Sequence, residues 1–513
     1  MESRTSGKAK WLVVAAIFAV CVAPTFISYR PYAFRWDDSD YLARAIAASR
    51  AFWSGDVHGL GAAMVSWHTP GMTLLGLPWG ALTSWDAAGN CFITLAAVTS
   101  LFAALCLYML LRIGVKPIFL VLAAVCVGAS LGPYPPGAHT IDGHVDAHTL
   151  ATGFMADGLL AWEALAAVLL IPYEARIPCP SIRGAAVRGI LCASILSVGA
   201  LTKVSFFYFI AFIVPLLLFI RVRYSGFRIA FAWLIAFVCW SVPTTIYLLR
   251  YGQSAFAQAK TASFGVVANF YYKPLWQFLA LTIRESPGLV LSLVLLATAS
   301  IYIVLRKRPG LFDAGLLAWL IMIGFLVVAL ASPNKESRFL FPVIVALPFL
   351  TAILISNKEN SVPNSRAALA AGLVCLGLVA AGVPTRHRTN RQNISRAEAV
   401  LAQAARCDAK SIVLATDSST LNVFLLGLAS EFSQSRASIG TLAFQAMSGE
   451  PIENDFRAMS KSDMVVFQDA RYLSHGFTNW RVSEYEQYIR QSSSVPHFRV
   501  GNDISIYSTG CRP

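Results

Sequence analysis

Apolar residues come in long runs separated by short basic clusters, and this rhythm holds from about residue 11 to residue 383. A helix rising 1.5 Å per residue needs roughly 20 apolar residues to cross a hydrocarbon core of about 30 Å. On that scale the runs 11–28, 91–111, 117–131, 150–171, 189–202, 206–220, 229–249, 288–305, 311–330, 339–355 and 367–383 predict about eleven spanning helices. The weakest is 189–202, only 14 residues long. The run 72–82 is too short to cross and holds Gly76, Pro78 and Gly80, so it reads as a re-entrant or interfacial piece.

Two stretches break the rhythm. After the first run comes Arg35-Trp36-Asp37-Asp38-Ser39-Asp40-Tyr41, and beyond it Leu42, Ile46 and Trp53 recur at helical spacing with Arg44 and Arg50 off the stripe. That pattern predicts an amphipathic helix lying on the membrane surface with the carboxylates at its start. Asp37 as N-cap with Asp40 bonding back is the plainer account of those acids. From Thr385 onward polar residues run throughout, and β-rich runs such as 411–415 and 464–467 alternate with predicted helices near 396–406 and 418–428. The expected organisation is a transmembrane domain over 1–383 and a small soluble α/β domain over 384–513.

Composition agrees with this division. The chain of 513 residues is 56% hydrophobic and 13% charged, with a mean hydropathy of +0.60, which excludes an ordinary soluble protein. A net charge of +14 suggests nucleic acid at first sight, but the basic residues sit in short clusters between apolar runs, where topology explains them. Arg4, Lys8 and Lys10 before the first run keep the N-terminus cytoplasmic, and no A-x-A cleavage site precedes the acidic stretch, so that run reads as a retained anchor. Threading the spans from there places Arg112 with Lys116, Arg176 with Arg183 and Arg188, Arg221 with Arg223 and Arg228, 306–308, and Lys358 with Arg366 inside. The acidic cluster and the C-terminal domain then face the other side. Most cysteines lie in apolar runs and none has a metal-ligand spacing; Cys407 and Cys511 are candidates to pair in an oxidising compartment.

On the outer side the chain places its exceptional polar residues. The loop 132–149 holds His139, Asp142, His144, Asp146 and His148, whose spacings match no particular zinc pattern and leave a divalent cation an open question. Asp157 is expected about two turns into a span, with Glu163 deeper; ionisable groups at such depth are functional candidates, or else make structural hydrogen bonds between helices. Lys203, Arg250, Lys260, Lys273, Arg284, Lys335 and Arg338 run against the positive-inside trend. Singly they read as snorkelling; together they suggest an electropositive site suited to a phosphate.

These residues resemble a known family. The chain is similar to GT-C glycosyltransferases, polytopic enzymes that use polyprenyl-phosphate sugars, and in particular to the branch with protein O-mannosyltransferases and bacterial aminoarabinose transferases. Asp37-Asp38-Ser39-Asp40-Tyr41 resembles the Asp-Glu-x-x-Tyr signature, His68-Thr69-Pro70-Gly71 a His-Pro-Pro segment, Met155-Ala156-Asp157 a membrane-embedded Asp, and Ala200-Leu201-Thr202-Lys203 a Leu-Thr-Lys-Gly stretch. Asn334-Lys335-Glu336-Ser337-Arg338-Phe339 looks like the His-Lys-Glu-x-Arg-Phe motif of another GT-C branch. Asp38, Gly71, Val204 and Asn334 depart from those patterns.

The resemblance implies a GT-C-like helical membrane domain and inverting sugar transfer from a polyprenyl monophosphate to a hydroxyl of a glycan, lipid or protein. Asp37 and Asp38 are then the catalytic carboxylates, with Asp37 as general base. Lys203, Arg338, Lys335 and Arg284 bind the donor phosphate, while Asp40, Tyr41, His68, Asp157 and Glu336 complete the substrate site. A monophosphate leaves as a stable anion, so a metal is dispensable, although the acids keep a cation open. The expected location is a bacterial inner membrane, the C-terminus showing no retention signal. A transporter or flippase of lipid-linked anions is the alternative from another class, against which stands the lack of two similar halves; a polymerase or ligase of lipid-linked oligosaccharides would keep the fold and change the donor.

Overall fold

The computed structural model describes residues 36–131, 156–264, 274–277, 313–333, 340–356, 387–442, 450–468, 481–491 and 497–508, apart from short gaps within them. The protein is a multi-pass helical membrane protein with a small sheet domain. Its helices are α1 (Trp36–Ser54), α2 (Val57–Met64), α3 (Gly71–Leu74), α4 (Trp85–Arg112), α5 (Pro117–Leu131), α6 (Ala156–Arg176), α7 (Ile182–Thr202), α8 (Phe207–Ser225), α9 (Phe227–Tyr251), α10 (Gln253–Phe264), α11 (Ala314–Ala331) and α12 (Phe341–Ile355). Among the described residues α4, α6, α7, the 204–225 segment that contains α8, α9 and α11 are long and apolar enough to cross a membrane. The expected spans 11–28, 288–305 and 367–383 and the loop 132–149 lie outside the described residues.

α6 is the central helix, with α4, α7, α8, α11 and α12 packed around it. Nearly every side chain from Ala156 to Glu174 is buried, so α6 is apolar all round except where Asp157, Glu163 and Glu174 find partners. α9 is its opposite. It packs on α7 and turns Phe231, Ile235, Trp240, Ile246 and Leu249 outward, as a helix facing acyl chains does.

Charged groups tie one end of this bundle together. Arg176 Nη1 donates to the Ile113 carbonyl (3.0 Å) and Arg188 Nη1 to that of Ile177 (2.7 Å). Glu174 pairs with Arg221, and Arg188 lies 3.8 Å from it. Arg176, Arg188 and Arg221, three of the basic residues expected on one side, meet at this end of the bundle.

Two expectations need correction. α7 begins at Ile182 and not near residue 189, because the Ser181 side chain accepts from the Gly184 amide (3.1 Å) and caps the helix there. The span has 21 residues, with Arg183 and Arg188 inside it. Asp157 is the second residue of the described α6, and the turns expected before it lie outside the described residues. α1 forms where the periodicity predicts, but Leu42 and Ile46 are fully buried against protein, in one core with Met72 and Leu75, and do not lie in the bilayer surface. Only Trp53 of that stripe stays open, at 58% exposure.

The sheet domain runs α13 (His387–Arg406), β1 (Ser411–Leu414), α14 (Val423–Ser433), β2 (Ser438–Thr441), α15 (Ile452–Lys461), β3 (Met464–Gln468), α16 (Val482–Gln491), β4 (His497–Val500) and β5 (Ile504–Ser508). Strand order is β2-β1-β3-β5-β4; β1 is parallel to β2 and β3, and β5 is antiparallel to β3 and β4. β1 and β3 occupy the predicted runs. The helix expected at 418–428 starts later, since Asn422 caps it by accepting from the Leu425 amide (2.8 Å). Cys407 is disulfide-bonded, while Cys511 lies outside the described residues.

The domain sits on α1. Arg50 Nη1 and Nη2 donate to Glu431 Oε2 (2.9 Å) and the Glu431 carbonyl (2.8 Å), and its Nε and Nη2 reach the Leu82 carbonyl (3.0 and 2.9 Å). Trp85 donates to Glu398 (2.9 Å) and packs on the Phe432 ring. α1 is thus held between the sheet domain and the membrane helices.

Candidate functional site

The candidate site lies at the end of α6 away from Glu174, where four sequence segments meet. The described part of α1 begins in the acidic cluster. Its first turn contains Asp37 and Asp38, whose side chains lie outside the described residues, followed by Asp40 and Tyr41. Asp40 Oδ2 accepts from Arg44 Nε one helical turn on (3.0 Å) and is 3.6 Å from His68 Nε2. On its other edge the imidazole has Nδ1 at 3.3 Å from the Tyr41 hydroxyl, with the two rings 4.5 Å apart between centroids. His68 therefore bridges a carboxylate and a phenol from consecutive positions of α1.

The segment that carries His68 next turns into α3 at Pro70. A Cβ on Gly71 would stand 2.7 Å from the Leu201 carbonyl oxygen and 2.8 Å from Thr202 Cα. Only glycine lets the start of α3 approach the end of α7 this closely. Gly71, a departure from the Pro of the motif, is thus explained by the contact it makes.

α7 stops at Thr202. Lys203 is extended (φ −158°, ψ 140°), its amide donating to the Gly199 carbonyl (3.1 Å), and a single 3₁₀ turn leads into α8. This break aims the Lys203 side chain at α6, where Nζ pairs with Asp157 Oδ1. The lysine side chain is 20% exposed and the aspartate 3%. One residue earlier, Thr202 Oγ1 is 2.8 Å from Glu163 Oε1.

The structure thus brings Asp40, Tyr41, His68, Asp157 and Lys203 to one end of the bundle through residues far apart in the chain. Arg284, Lys335, Glu336 and Arg338, expected at the same site, lie outside the described residues. Among the described residues no three His, Cys, Asp or Glu side chains gather as a metal cage. Sequence reading named Arg44 and Thr202 but gave neither a role at the site. The first was legible, four residues after Asp40; the second had no local signal, its partner being 39 residues away.

No protein-family model matches the chain, and no curated protein matches it significantly. Solved structures do. ArnT from Cupriavidus metallidurans bound to undecaprenyl phosphate has a TM-score of 0.56 at 13% identity, over 98% of this chain and 99% of that one. Apo ArnT from the same organism has a TM-score of 0.55 at 14% identity, over 97% of each chain. At such identity the likeness is one of fold: over nearly its whole length the chain has the GT-C architecture of the aminoarabinose transferase structures.

Proposed function

We propose that the protein transfers one sugar from a polyprenyl monophosphate carrier to a hydroxyl of a glycan, lipid or protein on the extracytoplasmic face of a bacterial inner membrane. The observation that carries this reading is the meeting of the acidic start of α1 with the Lys203 turn, through His68 at one end of a short segment and Gly71 at the other. A general base and a phosphate cation must flank the anomeric carbon, and these elements supply both kinds of group. ArnT binds undecaprenyl phosphate in its solved structure, and a carrier of that class suits a site at the end of membrane helices.

Asp37 is the general base. Asp40, paired with Arg44 and near His68, is suited to positioning. As the acceptor oxygen bonds to the anomeric carbon, its proton passes to Asp37 and the bond from carbon to phosphate oxygen breaks with inversion, releasing polyprenyl phosphate. Asp38 raises the proton affinity of its neighbour by like-charge repulsion or orients the acceptor. Lys203, held in place by Asp157, stabilises the charge that grows on the departing phosphate, joined by Arg338, Lys335 and Arg284. Glu336 completes the donor side. The sheet domain, seated on α1, contributes to choice of acceptor.

The test is transfer by purified protein in nanodiscs, offered radiolabelled polyprenyl-phosphate sugars and a membrane extract, beside Asp37→Asn. The expected outcome is label in an acceptor with the wild type and a rate lower by about 10²- to 10⁴-fold in the variant. Full activity of both Asp37→Asn and Asp38→Asn would remove the base assignment. Carrier binding without any transfer would favour a transporter.

A further inference from the structure

Two buried glutamates lie within α6. Glu174 has arginine partners; Glu163, fully buried, meets a hydroxyl instead. Its Oε1 is 2.8 Å from Thr202 Oγ1, and its Oε2 has no hydrogen-bond partner among the described residues. Burying a carboxyl group this way is costly, so its place in the fold needs a reason.

The reason lies in where Thr202 is. It is the last residue of α7, and Lys203 follows in extended conformation. Consecutive residues are thus attached to one helix at two points: Thr202 to Glu163 and Lys203 to Asp157. The two acids stand six residues apart on α6, about 9 Å along its axis. The backbone of Leu201 and Thr202 is also closely approached by Gly71. Below the break, Gly199 leaves room for the Phe206 ring, which a Cβ would meet at 2.3 Å. We infer that Glu163 is a positioning residue, fixing the Lys203 turn through Thr202 so that the lysine ammonium meets the carrier phosphate. The inference rests on the phosphate-binding role proposed above for Lys203.

Hydrogen-bond counting sharpens it. The Thr202 hydroxyl has one proton and two acceptors in reach, Glu163 Oε1 and the Val198 carbonyl (3.0 Å). Both contacts are made when position 163 donates to the hydroxyl and the hydroxyl donates to Val198. A glutamine amide can do the same.

Full-length Glu163→Gln, Glu163→Leu, Thr202→Val and the Leu/Val double variant are to be compared in nanodiscs, with undecaprenyl phosphate as the binding probe. Acylation of Lys203 by a water-soluble reagent, read by mass spectrometry, reports the position of the lysine without any ligand. The expected result is wild-type behaviour for Glu163→Gln. Glu163→Leu and Thr202→Val should each weaken carrier binding by about tenfold, the double variant no further, and Lys203 labelling should rise. In turnover, KM for the donor should rise more than kcat falls. If Glu163→Leu does not yield monodisperse protein, the nearly isosteric Thr202→Val decides. Unchanged binding and labelling in the Leu and Val variants would overturn the inference. So would a Glu163→Gln variant as impaired as Glu163→Leu, because charge and not a hydrogen bond would then be in use. If the wild type binds no polyprenyl phosphate, the reading of function fails, while the Lys203 labelling still decides the positioning role.

Discussion

At one end of α6 the Glu174 carboxylate is closed in by Arg221 and Arg188; at the other, Asp157 holds Lys203. Seventeen residues, about 25 Å of helix, separate the two centres. Both join a buried carboxylate to a cation, but the side chains of Glu174 and Arg221 are 0% and 1% exposed, whereas Lys203 is 20% exposed. At the basic end two arginines stand about one acid, Arg221 closed off and the more distant Arg188 at 17% exposure, and three helices are tied together. At the site end a lysine reaches solvent from a broken helix. Burial of the cation, more than the presence of an ion pair, distinguishes a clamp from a binding group.

Arg221→Ala should have the largest effect on the fold. It leaves the Glu174 carboxylate buried with only the more distant Arg188, and breaking a buried pair costs about 3–5 kcal/mol. A large drop in unfolding temperature is expected, with carrier affinity per folded molecule unchanged. Lys203→Met in an Asp157→Asn background, which leaves no buried charge unpaired, should act the other way round, lowering transfer by about 10²- to 10³-fold while the unfolding temperature falls much less. Were the two variants to exchange these phenotypes, the distinction between clamp and site would be wrong.

The smallest effect is expected in the sheet domain, where Asp455 makes a third buried pairing. Its Oδ2 accepts from Arg481 Nη1 (2.8 Å) and the Tyr485 hydroxyl (2.5 Å). Burial first, then the bond to Asp455, push the Tyr485 phenol above its ordinary range. The folded phenol keeps its proton where the unfolded one loses it. Its contribution to stability is therefore full below about pH 10 and is lost as pH rises towards the folded value. Tyr485→Phe should cost about 1 kcal/mol at neutral pH and flatten the alkaline decline, measured by denaturant unfolding across pH. An unchanged decline would place its source elsewhere.

Much of this was legible along the chain. Spans were visible because a bilayer demands long apolar runs, and β3, Met464–Gln468, because a strand buried on both faces is a short apolar run. The helix α1 was visible in its periodicity. Helix beginnings were harder, since a single capping side chain such as Ser181 or Asn422 moves them by several residues. The Asp40–Arg44 pair was readable from its spacing. The Tyr41–His68 contact, 27 residues apart, was readable only as two motifs with no stated relation.

By itself the sequence determined that this is a polytopic membrane protein with an α/β tail, acids at the start of α1 and isolated cations at helix ends. Length, hydropathy and charge act locally, and each residue carries them unaided. Only the tertiary structure decided that Leu42 and Ile46 face protein, because an apolar stripe reads the same whichever apolar medium covers it. It also decided that Lys203 pairs with Asp157, that Thr202 meets Glu163, and that Gly71 is small because α7 passes against it. Those relations depend on which helices become neighbours, which is a property of packing and of no single stretch of chain.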